Sequence, residues 1–242
     1  MKNYDNMTVA EIVAQDYRAA DIFREHNIDF CCGGNIRLTE ACNPLQINVQ
    51  HLISQISQLE TEPADQTDQY IEWSPDLLAD YIEQTHHVYV TRNIPVITAY
   101  LQKIVSVHGE NHPELHRVLK LFLASSEELT DHMKREEMVL FPFIRQMTKG
   151  VKEGREFRKP GFGTVINPIS RMMTEHTTEG NRFREMSALT NQYAAPSDAC
   201  NTYVVTLAKL NEFELDLHKH IHLENNILFP KAIEMENVLL SN

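Results

Sequence analysis

Two eleven-residue segments set the frame for this chain: His132-Met-Lys-Arg-Glu136-Glu-Met-Val-Leu-Phe-Pro142 and His220-Ile-His-Leu-Glu224-Asn-Asn-Ile-Leu-Phe-Pro230. They lie 88 residues apart, and each places a glutamate four residues after a histidine and then reads Leu-Phe-Pro. Each copy is also preceded by a histidine at a matching distance. His87 stands 45 residues before His132, and His176 stands 44 before His220. A chain that echoes itself this way is built from two similar units. Here they read as two helical hairpins, each carrying His, His and Glu.

The apolar pattern around these segments is helical. Ser74-Pro75 is an N-cap followed by proline at the first helical position. Four long helices are expected from there, over 75–107 with a bend at Pro95, 113–148, 165–193 and 197–239. A loop holding Gly150, Gly154, Gly161 and Gly163 parts the second from the third. No strand-like alternation of any length competes, so the fold class is all-α, with an antiparallel four-helix bundle over 74–242. Residues 1–58 read as a small helical domain. Thr8 and Glu11 fit a capping box, and Val9, Ile12, Val13, Tyr17, Ile22 and Phe23 keep roughly helical spacing. The stretch from Asn27 to Asn35 is turn-like, and the polar, acidic residues 59–73 read as a linker.

Charge narrows the partners. Acids outnumber bases 34 to 22, a net charge of −12 over 242 residues, so no basic field draws nucleic acid or an anionic membrane surface. No apolar run approaches the roughly 20 residues of a membrane span, and the first residues lack a signal-peptide core. A cytoplasmic protein is expected. The four cysteines include the neighbours Cys31 and Cys32, which could bridge each other only with strain, so no disulfide framework is expected. No nucleotide-binding glycine loop or flavin fingerprint is present, so any reductase chemistry would need an external electron donor.

The chemistry is sought among the 12 histidines. On a helix, residues i and i+4 share a face, so His132 with Glu136, and His220 with Glu224, each offer an imidazole and a carboxylate to one point. Such ligands suit iron, manganese or zinc, and two linked half-sites suit a metal pair bridged by carboxylates. Six ligands would leave an open position for O2, NO or peroxide. One His–Glu pair is ordinarily a solvated surface pair; two copies in one context, with matching histidines, favour a metal site. Zincin chemistry is disfavoured because no H-E-x-x-H occurs, and the ferritin-type E-x-x-H order is absent.

Other candidates are set aside. His86 projects about 100° from His87 on an α-helix, and His87 is preferred because its spacing matches the other hairpin. His218 and His222 are expected at the surface, as are His108, His112 and His116 around the first interhelix loop. His26 and His51 have no evident partner. Glu137 reads as a surface charge, Tyr89 and Tyr100 as core, and the Leu-Phe-Pro tails as packing and a helix bend.

With Asp29-Phe-Cys-Cys-Gly-Gly34 ahead of the two His–Glu segments, the whole chain resembles the repair-of-iron-centres family, the ScdA/YtfE-type iron-sulfur cluster repair proteins. The resemblance implies a hemerythrin-like bundle with two non-haem iron ions, bridged by oxygen and carboxylate. It implies His87, His132, Glu136, His176, His220 and Glu224 as iron ligands, Glu136 and Glu224 bridging. It further implies a cytoplasmic, often dimeric protein whose clients are iron-sulfur proteins damaged by nitrosative or oxidative stress, repaired by supply of iron. A di-iron NO or peroxide reductase, and an iron- or gas-sensing binding module, are the alternatives. Because Gly33 and Gly34 permit positive φ, Cys31 and Cys32 can sit at an exposed turn where a thiolate reaches a client or a metal in transit. They are the candidate reactive thiols; the plainer reading is two buried apolar cysteines.

Overall fold

Helices and turns make up the computed structural model, which describes residues 4–59, 69–154 and 160–241. Its one isolated bridge, Thr8 to Arg37, belongs to no strand. Contacts divide the chain into two units. One comprises Met1–Leu78, Met147–Phe157 and Ile221–Asn242; the other comprises Ala79–Gln146 and Arg158–His220.

In the first unit, α1 (Val9–Gln15) opens on the expected capping box. Thr8 Oγ1 accepts the Glu11 N–H at 3.1 Å while the Glu11 carboxylate accepts the Thr8 N–H at 2.8 Å, satisfying two donors that a helix start leaves open. Helices α2 (Ala19–Glu25), α3 (Leu38–Cys42) and α4 (Val49–Leu59) follow. Val9, Ile12, Val13, Phe23, Leu38 and Leu52 are buried, and His26 gains a partner in Gln55, 3.0 Å away. Most of the expected linker, 60–68, lies outside the described residues. Its end is a turn, Tyr70–Glu72, whose buried Tyr70 packs on Trp73 while Lys231 donates to the Ile71 and Trp73 carbonyls.

Four long helices follow in the order expected. Helix α5 comprises Pro75–Tyr81, Ile82–His87 and Val88–His108, and α6 comprises Glu114–Arg135, Glu136–Leu140 and Phe141–Glu153. Helix α7 is Ile166–Leu189, and α8 comprises Asn201–Leu223, Glu224–Leu228 and Phe229–Ser241. The α5 helix continues through Pro95. Helix α6 runs past Gly150 and stops where Gly154 takes a φ of 62°, the left-handed conformation that closes many helices. Helix α7 stops at Leu189, short of the expected 193, because Asn191, Gln192 and Tyr193 all adopt positive φ. In the second unit Phe213 stacks on Phe183, with centroids 5.6 Å apart, and meets Phe122 edge-on at 5.5 Å. No described helix is long and apolar enough to cross a membrane.

The middle segments of α5, α6 and α8 are π-helical, and each carries an expected site residue. The sequence explains two of them. Pro142 and Pro230 have no N–H, and on an α-helix each ring would crowd the carbonyl four residues back. A wider turn immediately before the proline relieves that crowding without ending the helix, and such turns recur at functional sites. Leu140, Phe141, Leu228 and Phe229 are buried, so the Leu-Phe-Pro tails are packing elements.

Candidate metal centre

Two groups of four side chains bring one donor atom each within 4.8 Å of one another. The first is His87, Glu136, His220 and Glu224; the second is His132, Glu136, His176 and Glu224. Every residue read from the internal echo is therefore present, and the two glutamates belong to both groups. None of the six is more than 2% exposed. Glu136 faces two ways, its Oε1 3.1 Å from His132 Nε2 and its Oε2 3.4 Å from His87 Nε2. His176 Nε2 lies 3.0 Å from His132 Nε2, and Glu224 stands one helical turn past His220 on α8.

The burial is informative. Withdrawing two carboxylates from water is costly unless positive charge lies close by. Four neutral imidazoles bring lone pairs but no charge, whereas a divalent cation brings charge and uses those lone pairs. The donor set fits transition metals that accept both nitrogen and oxygen.

Outer carboxylates fix which nitrogen faces inward. His87 Nδ1 lies 2.8 Å from Glu137 Oε1, and His132 Nδ1 lies 2.8 Å from Glu175 Oε2. An ionised carboxylate only accepts, so each Nδ1 carries the proton and donates, leaving the Nε2 lone pair for the centre. Glu175 also accepts from Arg135 at 2.7 Å and Arg171 at 2.9 Å. Burial works against its charge, but the hydrogen bonds from His132, Arg171 and Arg135 prevail and hold its carboxyl well below the usual range.

Several residues depart from expectation. His86 is buried beside His87, its Nδ1 2.9 Å from Asp216 Oδ1 and its ring stacked on His220 at 5.7 Å. The π winding over Ile82–His87 is the reason, since a wider turn narrows the angle between successive side chains. His222, expected at the surface, is 1% exposed. It lies between Tyr17 and Phe30 and accepts from Asn226 Nδ2 at 2.9 Å. His218 is half-buried near Glu214. Glu137, read as a mere surface charge, holds His87. The only sequence signal for these partners was adjacency: His86 precedes His87, Glu137 follows Glu136, and Glu175 precedes His176.

The cysteine turn also differs from an exposed loop. Asp29 Oδ1 accepts the N–H of both Cys31 and Cys32 at 3.0 Å, curling the chain inward. The amides of Asn225 and Asn226 donate to the Cys31 and Phe30 carbonyls. Cys31 is consequently 5% exposed, while Cys32 stays partly accessible. The hydrogen bond with Cys32, followed by burial and the nearby Asp29, pushes the Cys31 thiol up, so it is protonated at neutral pH. The glycines act by closeness, since neither has positive φ. A Cβ on Gly34 would lie 2.5 Å from the Phe30 carbonyl oxygen.

A cavity of about 430 Å³ reaches His132 and His176. Glu128, Asp131, Glu175 and Glu179 line it along with Arg135 and Arg171. Burial pushes Glu179 up despite its bonds to Ser125 and Arg182.

Known proteins match in the same order. The ScdA N-terminal profile, described as a domain of unknown function (DUF542), matches residues 5–60, and the Hemerythrin HHE cation binding domain matches residues 78–232. The chain is 35% identical over 236 residues to the Iron-sulfur cluster repair protein YtfE of Yersinia pestis (strain Pestoides F), covering 97% of this chain and 100% of that one. The same figures hold for the protein of that name from Yersinia pestis bv. Antiqua (strain Angola). The one from Yersinia pseudotuberculosis serotype IB (strain PB1/+) is 34% identical over the same coverage.

Proposed function

Because the chain belongs to the iron-sulfur cluster repair family of hemerythrin-type proteins, we propose that it holds two iron ions and supplies iron to iron-sulfur clusters damaged by nitrosative or oxidative stress. The observation that carries this reading is the sharing of Glu136 and Glu224 by two four-residue donor groups. In this reading His87 and His220 would hold one ion and His132 and His176 the other, with Glu136 and Glu224 available to both. Bound there, iron supplies redox chemistry and a cargo held by exchangeable ligands.

The protein's own residues prepare the centre. Glu137 and Glu175 keep the Nδ1 protons of His87 and His132 away from the donor side. The buried helices exclude bulk water from the carboxylates. The acidic lining of the cavity beside His132 and His176 suits passage of a cation. Cys31 and Cys32 serve the same repair as thiols, the partly accessible Cys32 being the one that meets a client or the metal in transit. The clients are damaged iron-sulfur proteins in the cytoplasm, NO, O2 or peroxide are the small ligands of the centre, and the assembly is a homodimer.

The test is transfer. Iron-loaded protein, mixed anaerobically with an apo iron-sulfur protein, cysteine and sulfide, should restore the client's cluster spectrum, and an equal amount of Glu224→Ala protein should not. Rapid NO or peroxide consumption with a reductant, without transfer, would replace this reading with the reductase. Double serine replacement of Cys31 and Cys32 should leave bound iron unchanged and slow repair.

A further inference from the structure

A second reactive cluster lies on α5 far from the metal-centre residues. His108 is 21 residues beyond His87 on this helix, about 30 Å at 1.5 Å per residue. Its Nε2 stands 3.1 Å from the Sγ of Cys200. Cys200 directly precedes α8 and takes its N-cap, since its carbonyl accepts the Val204 N–H at 3.1 Å. In that position a serine or asparagine oxygen would receive the second and third N–H groups of the helix. Here a sulfur stands in that place, and the Thr202 and Tyr203 N–H groups favour its thiolate. A thiolate is thus offered an imidazole, two backbone donors and the positive end of a 23-residue helix segment.

The surrounding charges leave that pairing intact. From the α5–α6 turn, His112 meets Glu114 Oε1 at 2.9 Å and Asp198 Oδ1 at 3.1 Å. The Glu114 hydrogen bond, against some desolvation and helped by Asp198, raises His112, and His112 in turn lowers Asp198. The two nearby acids are therefore engaged by His112, leaving His108 to the sulfur. The Tyr203 ring packs against both histidines, at 5.3 and 5.5 Å, and His116 is exposed beside Gly109. The His108 hydrogen bond, then the Tyr203 N–H, bring Cys200 down to about 7. Cys31 and Cys42 move the other way and are buried, whereas Cys200 is exposed.

We propose that Cys200 is a thiol-exchange site for small disulfides of the glutathione type, with His108 as its positioning residue. The Cys200 thiolate attacks one sulfur of the disulfide. A new S–S bond forms, the old one breaks, and the departing thiolate takes a proton from water. The exchange conserves electrons and needs no further oxidant. It is independent of the metal reading, because neither residue belongs to a His/Glu group.

The experiment treats the full iron-loaded chain with glutathione disulfide at graded pH and quantifies the mixed disulfide on each cysteine peptide by mass spectrometry. The Cys200 peptide should be modified first, its initial rate rising with a midpoint near 7. His108→Gln should move that midpoint towards the ordinary thiol value of about 8.5. The thiolate fraction at pH 7 then falls about sixteenfold, but the more basic sulfur is more nucleophilic, so the rate should drop about threefold. His116→Gln should react like the parent chain. An unmodified Cys200, preferential modification of Cys31 or Cys32, or an unchanged midpoint in His108→Gln would each overturn the proposal.

Discussion

Replacing Glu137 by alanine separates the two halves of the metal centre. Among the described residues Glu137 touches one donor group, through the 2.8 Å contact with His87 Nδ1, while His132 keeps its own partner in Glu175. The Glu137 side chain is 38% exposed, so its removal should change folding stability by less than about 0.5 kcal/mol. The effect on metal is larger. Without the acceptor, the His87 ring can rotate and its proton can move to Nε2, where it blocks the lone pair. Loss of an orienting partner typically costs about 10- to 100-fold in metal affinity, or about 1.4–2.7 kcal/mol. Partial exposure of Glu137 puts the expected value at the lower end. Anaerobic ferrous titration against a chromophoric chelator should give one binding event weakened about tenfold and one nearly unchanged, with a parent-like thermal transition. Equal weakening of both events, or of neither, would refute the assignment of Glu137 to His87 alone.

Other outcomes follow from the same geometry. Glu136→Ala should abolish paired binding because that carboxylate belongs to both donor groups, whereas His176→Ala should spare the group holding His87 and His220; elemental analysis after anaerobic loading distinguishes the two. Gly34→Ala forces a Cβ against the Phe30 carbonyl and Ala10, which should cost about 1–3 kcal/mol as overpacking, read by urea unfolding. Phe213→Ala removes the ring between Phe122 and Phe183 and should cost about 3–5 kcal/mol, seen as a lowered melting temperature with helical circular dichroism retained in the cold.

The helices and the six convergent side chains were legible because both rest on periodicity. The distance from His132 to Glu136 is one helical turn whatever surrounds it, and repetition of the pattern at His220 and Glu224 signals a shared purpose. Features set by long-range contact were not legible. Nothing local says that Asp216 will meet His86, or that Asn225 and Asn226 will bind the turn holding Cys31. The burial of His86 is not legible because the sequence points to a regular α-helix over Ile82–His87, where the chain winds as a π-helix. The sequence suggests a φ-based role for the two glycines after Cys32, whereas Gly34 is required by the closeness of the Phe30 carbonyl. His108 and Cys200 are 92 residues apart and meet only after the helices have packed.

Glu136 and Glu224, each shared by both donor groups, are proposed to serve a pair of irons. Protein loaded with ferrous iron without oxygen and freed of excess metal is to be analysed by iron and protein determination together with Mössbauer spectroscopy. Two irons per chain, with the spin-coupled signature of a bridged pair after mild oxidation, are expected. One iron per chain, or two irons that behave as isolated ions, would contradict it.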